Sequence, residues 1–326
     1  MINIVYASNN DFFHFLAVAI TSVCVSNKDN DIRIFILDTG IHAENKSFLK
    51  NYENKYPNIK IIFVECNDLE KKLNLPTFLT EGSLGIHISS YARLFLPSLL
   101  PLDVEKVLYL DGDTLTLSSI DELWDINIDD YMCAGVDDPA PVYLKGTINF
   151  KEDDYYINAG VLLINLKKWR DNNVELEFIN FINNNRDSYF QHDQGVLNAV
   201  FKDKILLIHP KYNYRSHFCL GGNVNTVKWI GCKYYYNQEI MDEASKNIVI
   251  KHCKPFEAPL DYNKYIKLSG ISTDNSFNFQ KPYKIYSLTN FLYNPIGKKI
   301  LGLVPKFIAV NIYNYRFKRW LSQNLK

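Results

Sequence analysis

The sequence predicts an α/β protein built on a parallel sheet with helices packed on its faces. The first observation behind this is an alternation of strand-like and helix-like hydrophobic patterns through the first hundred residues. The second is that apolar runs stop abruptly at polar clusters, as KVLYLDGDTL (106–115) stops at Asp111 and Asp113. In open α/β sheets that is where strands hand over to ligand-facing loops. The third is bulk: 326 residues with 47% hydrophobic content suffice for a large core and exclude disorder as the main state.

In chain order, INIVYAS is a short apolar strand with Ala7, Ser8, Asn9 and Asn10 at its polar end. FHFLAVAITSVCVS reads as an amphipathic helix, DIRIFILD as a second strand, SFLKNYENKYP as a second helix and IKIIFVEC as a third strand. LYLDGD is another strand running into a polar end. INAGVLLINLKKWR (157–170) sets Asn-Ala-Gly ahead of a buried strand and a helix start. QHDQGVLNAVF (191–201) opens an apolar helical stretch with Asp193 and Gln194, where an acid also serves a helix N-terminus. IVIKHCKPF (248–256) reads as a strand ending in His252 and Lys254.

Two carboxylates at the end of a buried strand repel each other and are costly to desolvate. Alternation would put Asp111 and Asp113 on one side of extended chain. A hard divalent cation with oxygen ligands, Mg²⁺ or Mn²⁺, between them would relieve the repulsion. A solvated acidic turn is the other reading of the same two residues.

Cys24, Cys66, Cys133, Cys219, Cys232 and Cys253 form no CxxC pair and read as buried free thiols. The N-terminus reads as a strand rather than a signal peptide, and no run of about 18 apolar residues predicts a transmembrane helix. A cytoplasmic location is therefore expected. No GxGxxG follows the first strand, which argues against a dinucleotide dehydrogenase. Net charge is zero but uneven: residues 298–326 hold seven basic residues and no acid, leaving 29 basic against 36 acidic elsewhere.

Taken together, SSYARLFLPSLLP, KVLYLDGDTL, YYINAGVLLINLKKWR and HDQGVLN resemble, in order and approximate spacing, the bacterial members of glycosyltransferase family 8. Within that family the lipooligosaccharide α-galactosyltransferases are the nearest in pattern. The resemblance covers residues 1–256. It implies a GT-A fold, a Rossmann-like nucleotide-sugar-binding domain with a mixed, mostly parallel sheet, followed by a C-terminal region over 257–326. It further implies a UDP-hexose donor, a manganese cofactor (with magnesium as the alternative) and a retaining transfer of galactose or glucose. By position, Asp111, Asp113 and His252 would be metal ligands. Ala7, Ser8 and Asn9 would hold uridine, and Gly112, Asn158 and Ala159 would line the donor site. Arg93, Asp193 and Gln194 would be the catalytic set, with Gln194 beneath the reacting carbon, and Lys254 would grip phosphate.

Two positions depart from the family pattern. Related enzymes carry an acid where Asn9 stands, so the contact to uracil loses its charge but keeps hydrogen-bonding capacity. The family's His-to-Lys-Pro-Trp spacing is compressed here to His252-Cys253-Lys254-Pro255-Phe256, without the intervening glycine. A glycogenin-like self-glucosylating enzyme and a catalytically impaired sugar-nucleotide-binding protein remain the alternatives to a transferase acting on lipopolysaccharide, lipooligosaccharide or capsule.

The tail KKILGLVPKFIAVNIYNYRFKRWLSQNLK (298–326) reads as a short segment, a break at Pro305 and a longer helix. Phe307, Val310, Tyr313, Phe317 and Trp320 recur at helical intervals as one apolar stripe, with Arg316, Lys318 and Arg319 beside or opposite it. Basic residues with interleaved apolar ones suit an anionic lipid surface better than nucleic acid. The expected partners are thus a UDP-hexose, a lipid-linked or oligosaccharide acceptor and the cytoplasmic face of the inner membrane, with no nucleic acid. Each basic residue near such a surface contributes about 1 kcal/mol. Truncation before Lys298 is expected to abolish sedimentation with anionic vesicles, and salt to weaken it for the full chain. Equal vesicle binding by both forms would remove the tail as anchor.

Overall fold

A computed structural model describes residues 1–66, 69, 89–138, 150–151, 154–185, 192–215, 235–253 and 260–271. Lys254 and the basic tail lie outside these residues. The described residues form nine strands: β1 (Ile2–Ser8), β2 (Ile32–Asp38), β3 (Ile59–Glu65), β4 (Lys106–Leu110), β5 (Thr114–Thr116), β6 (Cys133–Asp137), β7 (Ile157–Asn165), β8 (Ile205–Leu207) and β9 (Ile250–His252). Seven form one sheet in the order β3-β2-β1-β4-β7-β6-β8, and β5 pairs with β9 in a small second sheet.

The expected strand–helix alternation is present through β3, and β1, β2, β3 and β4 pair in parallel. The sheet is not wholly parallel, because β7 runs antiparallel to both β4 and β6. That reversal changes where one motif lies. Asn158, Ala159 and Gly160 do not precede the strand; they are within its first residues, at the same edge of the sheet as the carboxyl end of β4. The stretch SFLKNYENKYP (47–57) also departs from the single helix expected, being split between Ala43–Lys50 and Tyr52–Lys55 on either side of Asn51.

The helix Phe13–Ser26 is the larger correction. Its residues Leu16 through Cys24 are all buried, so it has no solvent face of the amphipathic kind. The sheet covers one side. On the other, Val18 packs with Leu115, Cys253, Tyr265 and Ile266, contributed by β5, the end of β9 and the helix Leu260–Ser269. The helix's buried hydroxyls are satisfied locally: Thr21 donates to Ala17 O at 2.7 Å and Ser22 to Ala19 O at 2.6 Å. Ser22 Oγ also accepts from Thr116 N at 2.9 Å, fixing β5 against the helix.

On the opposite face of the sheet, Trp169, Phe178 and Phe201 form an aromatic cluster with ring centroids 5.1 to 5.5 Å apart. Trp169 Nε1 donates to Met132 O at 2.8 Å, so its one polar atom is paired. Among the described residues Cys24, Cys66, Cys133 and Cys253 are buried free thiols, as expected. No helix among them is long and apolar enough to cross a membrane.

Burial of the first helix on both sides makes it intolerant of truncated side chains. Leu16→Ala, at a fully buried position, is expected to cost about 2–5 kcal/mol in urea unfolding. Leu176→Ala, at a position 63% exposed, should stay within about 0.5 kcal/mol.

Candidate active site

β4 ends at Leu110, and the chain then turns instead of extending. Asp111 N donates to Gly160 O at 2.8 Å, closing the pairing with β7. Thr114 returns both its N–H (3.1 Å) and its hydroxyl (2.8 Å) to Asp111 O. The two carboxylates therefore come together through a turn, not through strand alternation. Gly112 fits inside that turn against Phe12, whose Cδ1 would lie 3.2 Å from an added Cβ.

The third member arrives by pairing. β5 follows the turn directly, and its register with β9 sets Thr114 opposite His252. Cys253 N donates to Asp113 O at 2.9 Å, which ties the end of β9 to the turn. His252 Nε2 consequently lies 3.3 Å from Asp113 Oδ1 and 4.0 Å from Asp111 Oδ2. One ligand atom from each of the three lies within 4.8 Å of the others, the one such group of three among the described residues.

A carboxylate pair with a neutral imidazole is a donor set suited to Mn²⁺, and its oxygens equally suit Mg²⁺. A Cβ at Gly160 would clash with the His252 ring, 2.2 Å from its Cε1, and lie 2.7 Å from Asp111 Oδ2. Only glycine leaves that space open. The residues present thus fit a divalent cation.

Arg93, 5% exposed, anchors the acids from beneath. Nη2 donates to Asp111 Oδ1 at 2.8 Å, Nε lies 3.0 Å from Asp193 Oδ2, and Nη1 donates to Ala159 O at 2.5 Å. The guanidinium also stacks 4.1 Å from the centre of the Tyr109 ring. Burial works against the arginine's charge, but Asp111 and Asp193 outweigh it and hold the group protonated. Burial pushes the Asp193 carboxyl up to about 6, against the pull of Arg93 and with a further rise from Asp111. His192, just before it, has a left-handed backbone (φ 56°) where the helix His192–Val200 begins.

Gln194 faces the start of β7. Its Oε1 accepts from Ala159 N at 3.0 Å and from Asn158 Nδ2 at 2.9 Å, while Nε2 donates to Asp138 Oδ2 at 3.2 Å. Asn198, one helical turn on, locks this junction by accepting from Ile157 N and donating to Ile157 O. Ala7, Ser8 and Asn9 occupy the carboxyl end of β1, beside β4 in the sheet. The Asn9 oxygen accepts from Phe12 N at 3.0 Å, so it supports the approach to the first helix.

The structure thus brings Arg93, Asp111, Asp113, Asn158, Ala159, Asp193, Gln194 and His252 to one edge of the sheet. Sequence reasoning missed three neighbours. Asp138 accepts from Arg215 Nη1 at 2.6 Å, and Asn213 lies between His252 and Asn158. Asp138 had a usable signal: it follows the buried strand CAGVD much as Asp111 follows KVLYL. Asn213 and Arg215 lie in PKYNYR, which carries no pattern of its own.

The glycine requirement gives a direct test. Gly160→Ala is expected to fold yet weaken Mn²⁺ binding by about tenfold or more, measured by electron paramagnetic resonance titration. Unchanged affinity in a folded variant would show that the trio is not the ligand set.

The family model described as "Glycosyl transferase family 8" matches residues 3–256. A Haemophilus influenzae protein named as a glycosyltransferase is 35% identical over 217 residues, covering 65% of this chain and 63% of that protein. The lipopolysaccharide 1,2-glucosyltransferase of Escherichia coli K12 is 24% identical over 217 residues, covering 65% of this chain and 62% of its own. The chain therefore spans less than two thirds of the length of either relative. Among solved structures, the galactosyltransferase LgtC with donor and acceptor sugar analogs superposes with a TM-score of 0.65 at 26% identity, covering 88% of this chain and 99% of LgtC. The fold is GT-A, and the chain belongs to glycosyltransferase family 8.

Proposed function

We propose that this glycosyltransferase is a divalent-metal-dependent, retaining hexosyltransferase that moves galactose or glucose from a UDP-sugar to a bacterial surface glycan. One observation carries the reading: Asp111, Asp113 and His252 converge within 4.8 Å beside the Arg93–Asp193 pair and Gln194. Breaking the bond from sugar to diphosphate leaves negative charge, and a bound Mn²⁺ or Mg²⁺ supplies its stabilisation. The similarity to LgtC, solved with donor and acceptor sugar analogs, and to a lipopolysaccharide glucosyltransferase supports a sugar donor and a glycan acceptor.

The chain's own groups divide the remaining work. Arg93 holds the Asp111 and Asp193 carboxylates in place, so they need not reorganise when the donor arrives. Ala7, Ser8 and Asn9 hold the nucleoside end, and Lys254 meets the diphosphate. Asn158 and Gln194 border the sugar. The Gln194 amide is a weak nucleophile, and its oxygen already accepts two hydrogen bonds. That favours attack by the acceptor hydroxyl on the face from which UDP departs, with the leaving phosphate taking the proton. Residues 1–256 form the catalytic unit in this reading. The basic tail within 257–326 brings it to lipid-linked acceptor at the cytoplasmic leaflet.

The reading is tested by donor hydrolysis across UDP-galactose, UDP-glucose and their N-acetyl forms. One UDP-hexose should be turned over, chelator should stop it and Mn²⁺ restore it. Asp113→Asn should lower turnover by about 100-fold or more while unfolding as the parent does. Undiminished turnover in excess chelator would overturn it.

A further inference from the structure

The hydrogen bonds around Asn158 carry direction, and that direction can be followed from two backbone amides to the imidazole of His252. A backbone N–H can only donate. Ala159 N donates to Gln194 Oε1 and Gly160 N to Asn158 Oδ1, each at 3.0 Å, which fixes the oxygen ends of both side chains. Their nitrogen ends then face acceptors: Asn158 Nδ2 donates to Gln194 Oε1 at 2.9 Å and to Asp138 Oδ2 at 3.2 Å. Gln194 Nε2 also donates to Asp138 Oδ2 at 3.2 Å.

The next link is Asn213, 2% exposed. It meets Asn158 Oδ1, already an acceptor, at 2.8 Å, so its nitrogen must be the end that faces there. Its oxygen is left facing His252 Nδ1 at 3.0 Å. Turning this amide over would set two oxygens 2.8 Å apart in a buried site, where low polarity strengthens their repulsion. An amide oxygen cannot donate, so the imidazole must. A proton is therefore on Nδ1, and in the neutral ring the lone pair of Nε2 faces Asp113 and Asp111.

We propose that Asn213 is the positioning residue of the site: it locks His252 in the Nδ1–H tautomer and couples that ligand, through Asn158, to Gln194. The assignment rests on the reading of Asp111, Asp113 and His252 as cation ligands. A metal-bound histidine needs a free lone pair, and a partner on the other nitrogen sets both tautomer and ring angle. Here the partner is a neutral amide, oriented in turn by the backbone of β7, so one strand disposes both the cation site and Gln194.

The first test is on the unaltered chain without metal. With histidine labelled by ¹⁵N in the ring, two-bond proton–nitrogen spectra at about pH 9, where imidazole is neutral, distinguish the tautomers. The His252 signal is assigned by its loss in His252→Gln. Nδ1–H is expected, and Nε2–H would overturn the assignment. The second test titrates Mn²⁺ by electron paramagnetic resonance. Asn213→Leu should weaken binding by about 10–100-fold. Asn213→Asp still accepts from Nδ1–H but repels Asn158 Oδ1, so it should keep its Mn²⁺ affinity and lose kcat with donor KM little changed. Unchanged affinity in folded Asn213→Leu would overturn the proposal, as would Asn213→Asp losing affinity to the same degree. An unaltered chain that binds no Mn²⁺ would strike the cation reading itself, while the tautomer measurement decides the role of Asn213 separately.

Discussion

Arg93 lies between Asp111 and Asp193, within 2.8 and 3.0 Å of their oxygens, and most of the site's order follows from that arrangement. A guanidinium buried to this degree is tolerable only with paired carboxylates, and the carboxylates are tolerable at the edge of an apolar sheet only with it. Removing the arginine would leave two carboxylates without the cation they share. The third nitrogen, on Ala159 O, ties the same group to β7, so the charge cluster and the sheet edge cannot move independently.

The direction of β7 is the second constraint. A strand parallel to β4 would enter the sheet from the opposite edge and place Asn158 far from Asp111. Running antiparallel, it starts where β4 ends, and its first four residues contribute Asn158, the Ala159 backbone and the open space at Gly160. The rest of the strand, Val161 to Ile164, is fully buried and anchors that edge in the core.

Much of this was legible in the sequence. The strand–helix alternation, the ends of apolar runs and the ordered motifs led to Arg93, Asp111, Asp113, Asn158, Asp193, Gln194 and His252, which do meet in space. What the sequence could not show was direction and covering. Alternation accounted for Asp111 and Asp113 sharing a side, whereas a turn closed by Thr114 brings them together. The pattern of FHFLAVAITSVCVS reads as one-sided, because nothing local shows that residues more than two hundred positions away will cover its other face. Asn213 escaped notice for a similar reason: its importance depends on which atoms of Asn158 and His252 it touches, and no spacing rule encodes that.

The helix Leu260–Ser269 lies beyond the family-matched span, yet its Tyr265 and Ile266 share a cluster with Val18 and Leu115. Tyr52 donates to Ser269 O at 3.1 Å and Lys55 to Leu268 O at 2.8 Å, so the helix is pinned at its far end as well. Cleavage after residue 256 would therefore uncover an apolar strip directly behind the turn that carries Asp113. Fragments cut there would tend to self-associate through that strip.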